Sequence, residues 1–145
     1  GMWDPALLDE LAKNNQLILF DNRGIGLSSD TKENHTTIPQ MADDAAGLAK
    51  ALGFNKVNLL AWSMGARIGQ QFLIRHPEQV NKAILCAPNP GGKYQVQANK
   101  KVVDELNNPD LSIMENVELL FPKTEAGKAA AKAAMERVNA AGLTP

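Results

Sequence analysis

The sequence holds little that could cross-link it or bind a metal. Cys86 is the one cysteine in 145 residues, and His35 and His76 are the two histidines. One thiol cannot close an internal disulfide, and this set falls short of a structural zinc site. Neither a metal nor a cofactor is expected. Charge of one sign is also lacking: 15 Lys+Arg against 16 Asp+Glu leave a formal net charge of −1. That balance removes the electrostatic case for nucleic acid or an anionic membrane as partner. No apolar run approaches the roughly 18 residues of a membrane helix. The first residues show no basic segment followed by an apolar one. A reducing, cytoplasmic setting is the expectation.

What is present is globular: 44% hydrophobic and 21% charged residues. A chain of this length can bury roughly 70% of its unfolded surface. Asp4-Pro5 offers an N-cap followed by a first helical position, with Leu7, Leu8 and Leu11 on one face. Leu17-Ile18-Leu19-Phe20 is a continuous apolar run that reads as a strand buried on both faces. Thr37 and Gln40 have capping-box spacing, and Met41, Ala45, Leu48 and Leu52 continue as a helical stripe to Gly53. Residues 57–61 predict a second strand and 64–75 a helix, which must stop near His76 because Pro77 follows. Residues 80–86 predict a third strand. Alternating strands and helices argue for an α/β fold with about three parallel strands.

Beyond Pro88-Asn89-Pro90-Gly91-Gly92 the pattern changes to helices alone. Val102, Val103 and Leu106 suggest one, the Ser112/Glu115 capping box a second, and the alanine-rich 125–141 a third. The expected organisation is therefore a core over 1–92 and a helical segment over 93–145.

Ala61-Trp62-Ser63-Met64-Gly65 lies between a strand and a helix. This is the setting of a nucleophile elbow, G-x-S-x-G, with alanine in place of the first glycine. Such a turn lifts the serine hydroxyl above the sheet edge, and the next amide, that of Met64, faces a developing oxyanion. The rival reading is that Ser63 only caps the helix. Trp62 and Met64 either line an acyl pocket or pack in the core. Gly24-x-Gly26-x-x-Ser29 half-matches a dinucleotide fingerprint, but six polar residues, 31–36, intervene where a helix should open.

Asp21-Asn22-Arg23-Gly24-Ile25-Gly26-Leu27-Ser28, the elbow, Met41-Ala42-Asp43-Asp44, His76-Pro77-Glu78-Gln79-Val80 and Cys86-Ala87-Pro88 together resemble the α/β-hydrolase superfamily. The resemblance is to esterase-like and perhydrolase-like members. It covers residues 3 to about 92, and the remainder is similar to the beginning of the family's helical cap. It implies a serine hydrolase acting on an ester, amide or other acyl substrate through Ser63. An aspartate-nucleophile dehalogenase is disfavoured, because a serine stands at the elbow.

The family's triad continues with an acid and then a histidine, both after the serine. After Ser63 the sequence offers only His76, 13 residues down the elbow helix and about 20 Å away at 1.5 Å per residue. His35 precedes the elbow, in a loop at the same edge of the sheet, and is a candidate base or simply solvated. The reading is of a truncated hydrolase lacking its own acid and base, with a non-catalytic oligomeric or interaction module as the alternative. Unpaired strands and uncovered apolar faces lead us to expect a homodimer or larger assembly, with strand or helix exchange.

Overall fold

The computed structural model describes residues 3–30 and 36–142. The helices are α1 (Pro5–Ala12), α2 (Ile38–Ala51), α3 (Met64–Arg75), α4 (Lys100–Leu106), α5 (Ile113–Glu118) and α6 (Glu125–Ala140). The strands are β1 (Val57–Trp62) and β2 (Val80–Cys86). The chain forms two compact units, residues 21–96 and residues 1–20 together with 97–145.

In the 21–96 unit, β1 and β2 pair in parallel, joined by α3 as crossover. The register runs from Val57 opposite Val80 to Trp62 opposite Cys86, with an irregularity between Val57 and Asn58. The core lies between α2, α3 and one face of this sheet. Met41, Ala42, Ala46, Ile68 and Phe72 are its buried cluster, and Val57, Leu59 and Val80 pack against it. The helix approaches the strands closely: a Cβ on Gly69 would stand 2.7 Å from Leu85 Cδ2 and 3.4 Å from Ala61 Cβ. Small residues at 61 and 69 let α3 sit that near.

Both ends of α2 are set by local chemistry. Thr37 Oγ1 accepts the Gln40 amide at 3.3 Å. Half of the expected capping box is absent, because the Gln40 side chain donates to Asp44, one turn on, rather than accepting the Thr37 amide. At the other end Gly53, at φ +86, and Phe54 donate to Lys50 and Ala49, a Schellman closure. α3 ends at Arg75, before the residue that Pro77 forces out of helical geometry.

The sheet differs from expectation by one strand. Residues 16–22 form neither helix nor ladder, and Leu19 and Phe20 are exposed. A strand is stabilised by its neighbours' backbone groups, and no described segment pairs with this run. Apolar character supplied the burial tendency but not the partner.

In the other unit, α5 packs along α6, and α1 touches α6. Asp4 caps α1 through the Ala6 amide at 3.0 Å, and its carboxylate also takes a two-pronged bond from Arg137 of α6 at 2.8 and 2.6 Å. The Ser112/Glu115 box forms in full at the start of α5. Ala131 and Val138 are the buried face of α6. No described helix is long and apolar enough to cross a membrane.

Candidate active site at the strand-to-helix turn

Ser63 joins β1 to α3 at φ +54, ψ −118. A side chain at this φ is strained, and only a surrounding structure that over-determines the turn holds it there. The hydroxyl makes no capping hydrogen bond, and the residue is exposed. The capping reading does not fit these values. An N-cap serine has extended backbone and its oxygen on an N2 or N3 amide; Ser63 has neither.

The backbone of Ser63 is held on both sides. Its N–H donates to the Cys86 carbonyl at 3.0 Å, and its carbonyl accepts from Ala66 at 3.0 Å and Arg67 at 3.4 Å. The Met64 and Gly65 amides, the first two of α3, have no acceptor among the described residues. Such amides, with the helix dipole behind them, form an electropositive corner. Trp62 and Met64 are 37% and 41% exposed, so neither is a core residue in this structure. A Cβ on Gly65 would meet nothing within 4 Å, so sterics does not demand glycine there.

The loop at 21–30 braces itself. Asp21 accepts from the Ser28 hydroxyl on its backbone carbonyl at 2.7 Å and from the Leu27 amide on its carboxylate at 3.5 Å. Gly26 stands at φ +56 with the Asp21 carboxylate where a Cβ would be. Arg23 reaches out of the loop to grip Asp44 of α2, Nε to Oδ2 at 2.8 Å and Nη2 to Oδ1 at 2.5 Å. The Arg23 guanidinium, then Gln40, hold the Asp44 carboxyl below its ordinary pKa against a partial burial penalty. The glycines of this motif thus permit turns, and its arginine ties the loop to the helix before the elbow strand. The string Met41-Ala42-Asp43-Asp44 was a visible family mark, but sequence gave no sign of which arginine each aspartate meets.

His76 is committed elsewhere. Its Nε2 lies 2.8 Å from Asp43 Oδ1, and its ring packs edge-to-face on Phe72 with centroids 5.6 Å apart. Asp43 also takes both prongs of Arg75, at 2.8 and 2.7 Å. Arg75 first and His76 second pull the Asp43 pKa down to about 2. This cluster joins α2 to the far end of α3, one helix length from Ser63. His35 lies outside the described residues.

A family model described as the alpha/beta hydrolase fold matches residues 1–135. The chain belongs to the α/β-hydrolase fold family. A solved α/β-hydrolase fold protein from Chitinophaga pinensis superposes with a TM-score of 0.79 at 28% identity, over 94% of this chain and 49% of that one. BpoC of Mycobacterium tuberculosis, whose name is that of a non-heme bromoperoxidase, is 40% identical over 86 residues, 59% of this chain and 32% of its own. Epoxide hydrolase 1 of Caenorhabditis elegans is 31% identical over 86 residues, 58% of this chain and 21% of its own. This hydrolase-fold chain spans less than half the length of these relatives.

Proposed function

We propose that this α/β-hydrolase works through Ser63 as nucleophile on an ester or other acyl substrate, with the Met64 amide as oxyanion donor. The observation that carries the reading is the strained, uncapped, exposed serine between β1 and α3. Strain of this kind has no use in a helix cap and has one in presenting a nucleophile. The relatives' names span a bromoperoxidase and an epoxide hydrolase, so family membership leaves the substrate open.

In this reading Ser63 Oγ attacks the acyl carbon as its proton passes to a base. The carbonyl oxygen becomes an oxyanion facing the Met64 N–H and the start of α3. Collapse expels the leaving group, which takes up a proton, and water then cleaves the acyl-enzyme. His76 is an unsuitable base, held by Asp43 at the opposite end of α3. The base is His35 or an imidazole on polypeptide beyond this sequence. Trp62 and Met64 side chains flank the serine and would contact the acyl group.

The test is intact-mass spectrometry after exposure to a fluorophosphonate. Stoichiometric labelling is expected, abolished in Ser63→Ala and reduced in His35→Ala if that residue is the base. Labelling that survives Ser63→Ala, or none in the wild type, overturns the nucleophile. The alternative, a non-catalytic assembly module, is favoured by one feature. The sheet face opposite α3 carries Leu60, Trp62, Ile84 and Cys86 by alternation, and Ile84 is 62% exposed. Parallel sheets are ordinarily covered on both faces.

A further inference from the structure

We propose that Ala87 is a positioning residue for Ser63. The strands are in register to Trp62 opposite Cys86, so the next rung sets Ser63 against Ala87. Both residues of that rung are left-handed, Ser63 at φ +54 and Ala87 at φ +51, and no other described non-glycine residue has positive φ. An L-residue with a Cβ resists this conformation, so two of them side by side mark a turn fixed from both strands.

The hydrogen bonds explain the pairing. The Ser63 N–H donates to the Cys86 carbonyl at 3.0 Å. Continuing a parallel ladder would send the Ser63 carbonyl to the amide of residue 88. That residue is Pro88, which has no N–H. The Ser63 carbonyl is thereby left to open α3 through Ala66 and Arg67. Ala87 turns its chain away directly after the carbonyl that holds Ser63. The elbow thus has two arms: β1 runs into it, and the end of β2 fixes its first amide. Ala87 touches no reacting atom; it acts through the Cys86 carbonyl.

The kinetic part of this inference rests on Ser63 being the nucleophile, and the structural part does not. Amide exchange by NMR on the full chain reads the structural part. Ala87→Val, whose β-branch is least tolerant of positive φ, is expected to lower protection of the Ser63 amide about tenfold relative to Ala61, whose N–H faces the same partner strand. Ala87→Asn, which accepts left-handed backbone, should restore it. Unchanged Ser63 protection in Ala87→Val overturns the proposal. Should that variant fail to fold, Ala87→Gly decides: it is expected to keep the Ser63 protection and melt no lower than wild type. A midpoint several degrees lower would mean Ala87 bears no strain, and would overturn it. Fluorophosphonate labelling should fall on the order of a hundredfold in Ala87→Val and recover in Ala87→Asn. A wild type that does not label defeats the nucleophile alone and leaves the exchange comparison standing.

Discussion

Three glycines in this chain answer to different constraints, and alanine substitution separates them. Gly26 combines positive φ with the Asp21 carboxylate in the path of a Cβ. Gly26→Ala is expected to cost about 1–3 kcal/mol in urea unfolding, with the loop rather than the sheet disturbed. Gly127 is helical but packs on backbone: a Cβ would fall against the Pro122 carbonyl group, 2.9 Å from its carbon. Gly127→Ala should cost a similar amount, about 1–3 kcal/mol, because a carbonyl cannot swing aside as a side-chain tip can. Gly65 has open space and sits in the first turn of α3. Gly65→Ala should leave stability unchanged or raise it by up to about 1 kcal/mol. If labelling of Ser63 nevertheless falls in Gly65→Ala, that glycine serves access to the hydroxyl and not the fold. The motif glycines look alike in the sequence, and only their neighbours in space tell them apart.

Between elements, charge does much of the joining. α2 presents Asp43 and Asp44 side by side, each gripped by a different arginine, Arg75 from α3 and Arg23 from the loop at 21–30. Asp43 is the more perturbed, with its pKa lowered from 3.8 to about 2. A depressed carboxylate binds its proton more readily in the unfolded chain. The stability it contributes is therefore complete above about pH 4 and is lost as pH falls toward 2. Urea midpoints for wild type and Asp43→Asn should differ at pH 5 and converge by pH 2. Parallel curves across that range would mean the cluster adds nothing. The ends of α1, α2, α3 and α5 were legible because caps, prolines and a Schellman glycine act within a few residues. The reciprocal half of the Thr37/Gln40 box was not, because Asp44 competes for Gln40 from one turn away. The arginine partners were not, because they are 21 and 32 residues distant.

For the whole molecule, the open sheet is the feature with consequences. β1 and β2 pair only with each other among the described residues, and one face of the pair is apolar and exposed at Ile84 and Trp62. Exposed apolar surface and unpaired strand edges favour association. Light scattering of this chain is expected to give a dimer or larger species, and a monodisperse monomer would refute it. Ile84→Lys, which places a charge on that face, should shift the distribution toward monomer.

The sequence alone determined the helices, the two strands that flank α3, the stop at His76 and the serine at a strand-to-helix turn. These follow from periodicity and from residues acting on neighbours three or four positions away. Family membership was legible too, in the strings around Arg23, Ser63 and His76. The tertiary structure decided the rest. Residues 17–21 have a strand's composition and no ladder, Ser63 presents its hydroxyl instead of capping with it, and Ala87 shares its backbone strain. Each outcome depends on what lies opposite in space: a partner strand for the first, the Cys86 carbonyl and a proline without an N–H for the others. Hydrogen-bond partners across a sheet are chosen by register, and register is a property of two strands together.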